Sequence, residues 1–483
     1  MRNRRPRLGL SLVLVTSIVL GVLCIPSIAN AATPKITLFT ASTTSLPEAP
    51  TSLTLTVKVA NATTCKFTVA PSLTGLPKSK SCSAGSASVT ISVPANVGTS
   101  VLTFVFKVTA TKGAKKTSKT VEVVQDGLGE AAWDNGSYVA AAPKPGGNTA
   151  DAYYVGANGQ IYRWHYNGTY WSNSEVGGGG EPALCGICGL ATVWQPKGSR
   201  ADVFYDGANG ELYDWTEINN VWTDHELGGE AVSAGNISAA WQPGGTKLNV
   251  FYVGGGGQIY DWFYNGTIWT DNGALGSGEA SNDWDLTVLW KPGGTTANVY
   301  YEGANDQVYN WYFNGSSWSN GELGGGGEAT LGGTGMAAVW DGSTAKVYYV
   351  GGNYRVYNWS FNGTNWTDTE IGGGSGGEVI NDSGMAAAVQ PSSSKVNVYY
   401  ESVASNNQIC NWYYNGFTWA NGALDGASCG ALGGGSQGTA QYLMPTAAFW
   451  IGNSSDVFYD GYGSTSQVYE WHYNGSSWST SAL

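Results

Sequence analysis

The chain has 483 residues, of which 70 are glycine, 21 tryptophan and 28 tyrosine, and only 12% are charged. This composition excludes a helical bundle or coiled coil, and a hydrophobic content of 42% excludes a chain without a folded core. Up to Asp126 there are 14 basic and 3 acidic residues (+11), and after it 9 and 32 (−23), which argues against nucleic acid as a partner of the larger part.

Residues 1–31 are predicted to be a secretory signal peptide. Four arginines between positions 2 and 7 precede an apolar stretch from Leu8 to Ile28, and Ala29-Asn30-Ala31 is a small-x-small cleavage site. The apolar stretch is also long enough for an uncleaved anchor, which remains the alternative. No later segment is apolar enough to span a bilayer. We therefore expect a secreted or cell-surface protein without a membrane span after cleavage.

Export places the cysteines of the mature chain in an oxidising compartment. Cys24 leaves with the signal peptide, and six cysteines remain. Proximity in sequence predicts three disulfides: Cys65–Cys82, Cys185–Cys188 and Cys410–Cys429. The Cys185-Gly-Ile-Cys188 spacing is also found in redox motifs, but it lies here in a glycine-rich loop, which favours a structural disulfide.

Residues 32–126 are predicted to form an immunoglobulin-like β-sandwich. Apolar residues alternate in Ser52–Val59, Ser88–Val93 and Leu102–Val108, with turn residues between these runs. About seven strands in about 95 residues are typical of a small sandwich. The segment resembles the immunoglobulin-like modules of secreted bacterial proteins in Thr33-Pro34-Lys35-Ile36 and Asn61-Ala62-Thr63-Thr64-Cys65. That resemblance implies a spacer or presentation role.

Residues 128–483 contain seven copies of one pattern. Each copy reads approximately Val-Tyr-Tyr-x-Gly, a short turn, and Gln-Val-Tyr-x-Trp-x-Tyr-Asn-Gly-x-x-Trp. The first tryptophan of the copies is Trp164, Trp215, Trp262, Trp311, Trp359, Trp412 and Trp471, at intervals of 47 to 59 residues. The second tryptophan, seven residues later, is Trp171, Trp222, Trp269, Trp318, Trp366, Trp419 and Trp478.

Each copy is predicted to be a sheet of four strands. In the fifth copy these are Met336–Trp340, Lys346–Tyr349, Val356–Phe361 and a strand that starts near Trp366. Asn362-Gly363 predicts a two-residue type I′ turn with positive φ at both positions. Four-stranded sheets repeated at this interval indicate a β-propeller. The fold is thus predicted as all-β, a seven-bladed β-propeller with an N-terminal immunoglobulin-like β-sandwich, and the alanine-rich first strands are expected to be innermost.

Signals for catalysis are missing from the sequence. It has no nucleophile elbow, His-Glu-x-x-His motif or P-loop, and no copy stands out by the pair of carboxylates that a glycosidase needs. Asp283 and Asp285 form one local acidic cluster, interpreted as a solvated loop. Three histidines and no four-cysteine zinc spacing argue against a metal site. We expect no catalytic residues, cofactor or metal, and a propeller hydrolase or lyase is the weakest alternative.

Aromatic residues recur instead. The first tryptophan of each copy is expected to fill the space between blades. The second follows the hairpin near a blade rim, where packing and ligand contact are equally compatible with its position. An exposed indole can stack on the apolar face of a sugar while nearby carboxylates or amides bind its hydroxyls. Weak sites repeated around a ring would add avidity.

Runs such as Met336-Ala337-Ala338-Val339-Trp340, Val-Tyr-Tyr, Gly-x-Ile and Asn/Asp-Gly-x-x-Trp resemble those of β-propeller lectins, both the six-bladed fungal-type fucose-binding family and the seven-bladed PLL-like and tectonin-like families. In the fucose-binding family an arginine opens the second strand, a glutamate lies on the third, and a tryptophan of the next blade stacks on the sugar. The arginine position holds Asp151, Asp202, Asn249, Asn298, Lys346, Asn397 and Asp456. The glutamate position holds Arg163, Asp214, Asp261, Asn310, Asn358, Asn411 and Glu470.

The resemblance implies a multivalent, non-enzymatic, lectin-like protein whose partners are glycans or glycoconjugates. The implied sugar-binding residues are the seven second tryptophans together with Asp214, Asp261, Asn310, Asn358, Asn411 and Glu470. The alternative is an adhesive or protein-interaction scaffold, favoured if the second tryptophan rings are buried. The sequence leaves open the sugar, the number of working pockets and the oligomeric state.

Overall fold

The computed structural model describes residues 32–46, 51–94, 96, 102–125, 131–133, 137–185, 188–229, 232–277, 280–281, 286–342, 344–371, 379, 384–391, 393–402, 408–424, 445–461 and 467–483. The predicted signal peptide, Asp283, Asp285 and Cys429 lie outside these ranges. Strands account for every regular element that is described, so the all-β prediction is confirmed. Within these ranges, no helix has the length and hydropathy that a membrane crossing requires.

The N-terminal strands form two sheets, one of three strands in the order β1-β3-β6 and one of five in the order β2-β8-β7-β4-β5. The strands are β1 (Lys35–Ala41), β2 (Ser45–Leu46), β3 (Thr51–Ala60), β4 (Thr64–Ala70), β5 (Lys78–Ser81), β6 (Ser86–Val93), β7 (Leu102–Lys112) and β8 (Lys115–Gln125). Alternation on β3 buries Leu55, Val57 and Val59 on one face. The rings of Phe39 on β1 and Phe67 on β4 lie 6.2 Å apart, so the two sheets pack on each other.

The remaining strands form seven four-stranded antiparallel sheets, numbered here 1 to 7 in chain order. Sheets 1 to 4 are β9 (Val139–Pro143), β10 (Ala150–Val155), β11 (Ile161–Tyr166) and β12 (Trp171–Glu175); β13 (Leu190–Trp194), β14 (Arg200–Asp206), β15 (Leu212–Ile218) and β16 (Val221–Gly228); β17 (Val232–Trp241), β18 (Leu248–Gly254), β19 (Ile259–Tyr264) and β20 (Trp269–Ala274); β21 (Leu286–Trp290), β22 (Ala297–Glu302), β23 (Val308–Phe313) and β24 (Trp318–Glu322). Sheets 5 to 7 are β25 (Ala337–Asp341), β26 (Thr344–Val350), β27 (Val356–Phe361) and β28 (Trp366–Glu370); β29 (Met385–Val389), β30 (Val396–Ser402), β31 (Gln408–Tyr414) and β32 (Trp419–Ala423); β33 (Pro445–Ile451), β34 (Ser454–Gly461), β35 (Gln467–Tyr473) and β36 (Trp478–Ala482). The predicted repeat of four-stranded sheets is confirmed.

These sheets contact one another in a circle. The first strand of each sheet contacts the first strand of the next, and β33 of sheet 7 contacts β9 of sheet 1. A hydrophobic cluster joins Tyr154 and Trp164 of sheet 1 to Phe449 and Phe458 of sheet 7. Small alanine side chains allow the first strands to approach closely, as expected from their sequences. The second strands are buried on both faces because a neighbouring sheet covers each side.

The hairpin between the third and fourth strands differs from the prediction. The prediction of a type I′ turn at Asn362-Gly363 was wrong, because only Gly363 of the two residues has a positive φ, of 97°. The side-chain Oδ1 of Asn362 instead accepts the backbone N–H groups of Thr364 and Asn365, at 2.9 Å each, and caps a four-residue loop. Asn219-Asn220 in sheet 2, with φ of 55° and 62°, is the pair that has positive φ at both positions.

Two of the predicted disulfides are confirmed. Cys65 is bonded to Cys82, and Cys185 to Cys188. Cys410 is fully buried in sheet 6. Since Cys429 lies outside the described ranges, the third disulfide stays a prediction.

A buried carboxyl group connects the last sheet of the circle to the first. Asp460 on β34 accepts a hydrogen bond of 2.6 Å from the backbone N–H of Ser137, two residues before β9. The hydroxyl of Ser137 in turn accepts the N–H of Val155 at 2.9 Å. Burial raises the pKa of Asp460 to about 7, against the opposing effect of the Ser137 N–H. This carboxyl therefore titrates near neutral pH.

Replacement of Asp460 by asparagine should flatten the pH dependence of stability. The folded-state pKa lies above the unfolded value of about 3.9, so the stability that the protonated carboxyl contributes is present at low pH and is lost as the pH rises through about 7. Asp460→Asn should remove a fall of up to about 4 kcal/mol in the free energy of unfolding between pH 4 and 8, measured by urea denaturation. The control is Asp306→Asn at an exposed position whose φ of 59° suits asparagine. An unchanged profile for Asp460→Asn would contradict this assignment.

Candidate functional site

Alternation along the strands gives each sheet of the circle two different faces. In sheet 4, Asn298 and Asn310 lie on the face toward sheet 5, and Trp290, Phe313 and Trp318 lie on the face toward sheet 3. The two-residue period of a strand separates these two sets. Each junction between successive sheets thus combines a polar face of one sheet with an aromatic face of the next.

The aromatic face contains a row of four residues that are paired across the four strands. Three sheets share one composition: tryptophan, a small residue, an aromatic ring and the second tryptophan. These rows are Trp290–Ala297–Phe313–Trp318, Trp340–Ala345–Phe361–Trp366 and Trp450–Ser455–Tyr473–Trp478. The small residue leaves a recess between the rings. We call this arrangement the complete aromatic row.

A cavity lies in front of each complete aromatic row. The cavities at junctions 3/4, 4/5 and 6/7 have volumes of about 460, 520 and 530 Å³. Their opposite walls carry Asn249 and Asp261, Asn298 and Asn310, and Asn397 and Asn411, respectively. The structure therefore brings together three of the residue pairs expected from sequence: Asp261 with Trp318, Asn310 with Trp366, and Asn411 with Trp478.

The second tryptophans have a packing role as well. All seven are half-buried. Each stands edge-on against an aromatic ring on the second strand of the preceding sheet, with centroids 5.4 to 6.1 Å apart. Trp318 and Phe251, for example, are 5.5 Å apart at an interplanar angle of 78°. Both roles anticipated for this residue are thus compatible with its position, and the fully buried ring that would favour an empty scaffold is not observed.

The polar walls hold amide groups with free hydrogen-bonding capacity. Asn310 Nδ2 donates to Asn298 Oδ1 at 2.9 Å, and Asn249 Nδ2 donates to Asp261 Oδ1 at 2.9 Å. Burial raises the pKa of Asp261 to about 6, although hydrogen bonds from Asn249 and Asn272 lower it. Several buried polar atoms of residues around the cavities have no partner among the described residues: Asn310 Oδ1, Asn397 Oδ1, Asn411 Oδ1, and Nε1 of Trp290, Trp340 and Trp450. Buried polar atoms usually have hydrogen-bond partners. These atoms are therefore donors and acceptors that a ligand in the neighbouring cavity could satisfy.

A basic side chain of the protein itself occupies junction 2/3. The guanidinium of Arg200 lies 4.2 Å from the ring centroid of Tyr264 and donates to Asp202 Oδ1 at 2.6 Å. It also reaches Asp214 Oδ2 at 3.5 Å, and Thr216 Oγ1 donates to the same Asp214 oxygen at 2.9 Å. Burial is the main cause that raises the pKa of Asp202, to about 6. The predicted site residue Asp214 is thus engaged within the protein.

Junctions 1/2 and 5/6 also contain charged side chains. Arg163 lies 5.4 Å from the ring centroid of Trp222 and donates to Glu217 Oε2 at 3.1 Å. At junction 5/6, Lys346 Nζ lies 4.7 Å from the ring centroid of Tyr414 and 2.9 Å from Asp341 Oδ2. Two predicted site residues belong to junction 5/6: Asn358, which is buried, and Trp419, which stands against Tyr348.

Junction 7/1 holds a carboxyl–imidazole cluster. Trp171 Nε1 donates to Glu470 Oε2 at 3.0 Å, and His472 Nδ1 lies 2.5 Å from Asp456 Oδ1. Burial, with the neighbouring Asp456 second, raises the pKa of Glu470 to about 8. Atoms of Asp456, Glu470 and His472 lie within 4.8 Å of one another, a set that sequence analysis did not anticipate and that could hold a divalent cation. Within the described ranges it is the one group of this kind.

Sequence analysis missed the tryptophan at or next to the end of the first strand, Trp290, Trp340 or Trp450, as a wall of the cavities. The sequence signal is a tryptophan that follows a short run of small or apolar residues in each of these copies, as in Ala337-Ala338-Val339-Trp340. Sequence analysis also missed the small residue beside this tryptophan, because the recess appears only when the strands are paired in register.

Loss of Arg200 should destabilise the fold strongly. Arg200→Met would leave Asp202 and Asp214 buried without their cation, which costs about 3–5 kcal/mol of the free energy of unfolding at pH 7. The loss should be smaller at pH 5, because burial raises the pKa of both carboxyls and so favours their neutral forms as the pH falls. The control is Arg355→Met, since Arg355 and Glu370 form a pair in which both side chains are about one-third exposed; we expect a loss below about 1 kcal/mol. Equal losses in the two variants, measured by urea denaturation, would contradict this account.

No protein-family model and no curated protein matches the chain. Several solved structures do match the chain. The BP39L lectin from Burkholderia pseudomallei matches with a TM-score of 0.57 and 17% identity over 73% of this chain and 100% of its own. A six-bladed β-propeller lectin from Aleuria aurantia matches 62% of this chain and 96% of its own, with 18% identity and a TM-score of 0.43. The SapL1 lectin in complex with α-methyl fucoside matches 60% and 97%, with 18% identity and a TM-score of 0.46. The circle of four-stranded sheets in this chain is that of a β-propeller, and the match to the BP39L lectin is a likeness of fold.

Proposed function

We propose that the protein is a secreted, multivalent, non-catalytic carbohydrate-binding protein that binds sugars between neighbouring blades. In this proposal residues 1–31 are the signal peptide, 32–126 an immunoglobulin-like module and 128–483 a seven-bladed propeller. The circle of seven sheets supports the blade count. The two packed sheets at the N-terminus support the module.

The repeated cavity is the observation that carries the proposal. In each of three junctions, a half-buried indole and a second aromatic ring stand opposite a pair of amide or carboxyl side chains. A pyranose ring has one face of C–H groups and a rim of hydroxyls. Aromatic rings suit the face, and side-chain amides, which donate and accept, suit the rim. The lectin neighbours, two of them described as fucose-recognising or fucoside-bound, support the same class of ligand.

Binding without hydrolysis fits the charges in these cavities. The described lining of the cavity at junction 6/7 contains no carboxyl group, and that of junction 3/4 contains Asp261 alone. A glycosidase needs two carboxyl groups beside the scissile bond. Several equivalent cavities around one ring favour avidity for glycans displayed on a surface. A protein-interaction scaffold remains the alternative.

A glycan array tests the proposal. The mature chain, residues 32–483, should bind a group of related glycans, and the free sugar should compete. The triple variant Trp318→Leu/Trp366→Leu/Trp478→Leu should weaken binding at least tenfold, which corresponds to about 1.4 kcal/mol, because the stacking surface is lost.

Phe417→Ala is the matched control for this triple variant. Phe417 is an aromatic residue that is 90% exposed on a hairpin loop, apart from the cavities. Its replacement should leave binding unchanged. A folded wild-type protein that binds no glycan on the array would contradict the lectin proposal and favour the protein-interaction scaffold.

A further inference from the structure

The seven junctions fall into two classes by the residue that opens the second strand. At junctions 3/4, 4/5 and 6/7, whose cavities are described above, this residue is asparagine: Asn249, Asn298 and Asn397. At the other four it is charged: Asp151, Asp202, Lys346 and Asp456. The charged residues are engaged within the protein, Asp151 by His165, Asp202 by Arg200, Lys346 by Asp341 and Asp456 by His472.

The opposite wall divides in the same way. The complete aromatic row occurs in sheets 4, 5 and 7, which face the three asparagines. In the other sheets one or two members of the row differ. The substituted residues are Pro143 in sheet 1, Glu217 in sheet 2, Leu248 in sheet 3, and Val389 with Val396 in sheet 6. The two walls of each junction come from different sheets. The asparagine on one wall and the complete aromatic row on the other are therefore two separate features that occur at the same three junctions.

At two junctions of the second class a basic side chain covers the ring of the aromatic row. Arg200 covers Tyr264, and Lys346 covers Tyr414. Tyr264 and Tyr414 occupy the row position that Phe313, Phe361 and Tyr473 occupy in front of the cavities. A sugar at either junction would have to displace a cation that is held by a carboxylate and by the ring, whereas an open cavity demands no such exchange.

We propose that only junctions 3/4, 4/5 and 6/7 bind sugar, one neutral sugar residue each, and that the protein's own charged side chains occupy the sugar position at the other four. The inference rests on the proposed function and adds its stoichiometry, its location and its ligand class.

The class of ligand follows from the polar walls. The pairs Asn298 with Asn310 and Asn397 with Asn411 carry no charge, and the acceptors Asn310 Oδ1, Asn397 Oδ1 and Asn411 Oδ1 lack partners among the described residues. The linings of junctions 3/4 and 4/5 each add one lysine and one carboxyl group of opposite charge, Lys247 with Asp261 and Lys291 with Glu322, and the lining of junction 6/7 adds Lys395. A hydroxyl group donates to such an oxygen and accepts from the neighbouring amide N–H, and a neutral sugar supplies several hydroxyls. The cavity volumes of about 460 to 530 Å³ are typical of small-molecule sites.

The test follows the indole N–H signals of the mature protein by NMR. The probes are methyl α-L-fucoside, methyl α-D-mannoside, methyl β-D-galactoside and the acidic methyl β-D-glucuronide. Seven Trp→Leu variants assign the second tryptophans. At least one neutral glycoside should shift Trp318, Trp366 and Trp478 and leave Trp171, Trp222, Trp269 and Trp419 unmoved.

Asn298→Lys is the sharper variant, because it places at junction 4/5 the residue type that fills junction 5/6. It should weaken glycoside binding at Trp366 at least tenfold while the shifts of Trp318 and Trp478 persist, which also shows that the variant is folded. Shifts at any of the other four tryptophans, a glucuronide preferred over every neutral probe, or an unchanged affinity at Trp366 would overturn the inference and leave the lectin proposal standing. No shift with any probe would overturn both.

Discussion

The structure depends on the burial of both faces of every sheet in the circle. Each second strand lies between its own neighbours in the sheet and two flanking sheets, and its Tyr or Phe side chains are almost inaccessible. The edge-on contact between this strand and the second tryptophan of the next sheet is repeated at all seven junctions, with nearly constant geometry. That contact sets the spacing between sheets, and with it the depth of every junction.

With the spacing set by the framework, the remaining residues decide whether a junction is filled or open. Arg200 with Asp202, and Arg163 with Glu217, fill their junctions with ion pairs that exclude ligand. The open junctions 4/5 and 6/7 keep buried amide oxygens that have no partner among the described residues, which lowers stability but leaves binding groups available. One repeat thus yields both stabilising and ligand-accessible junctions by exchange of a few side chains.

The sequence predicted the repeat, the four strands of each copy, and the pairing of a polar third-strand residue with the tryptophan of the next copy, because these follow from a fixed internal spacing. It did not predict which pairs face a cavity. That depends on Ala297, Ala345 and Ser455, whose small size matters only once two strands are paired with them, and on where a long side chain such as Arg200 comes to lie. The turn type predicted at Asn362 was wrong for a local reason. The side-chain carboxamide of Asn362 caps the loop, and the backbone of this residue does not need a positive φ.

The most direct measurement is a crystal structure of residues 32–483 grown with the neutral glycoside that binds most tightly. The account predicts sugar density on the rings of Trp318, Trp366 and Trp478, with hydroxyls at Asn298, Asn310, Asn397 and Asn411. Sugar bound elsewhere in the circle of sheets, or at the N-terminal module with the three cavities vacant, would contradict it.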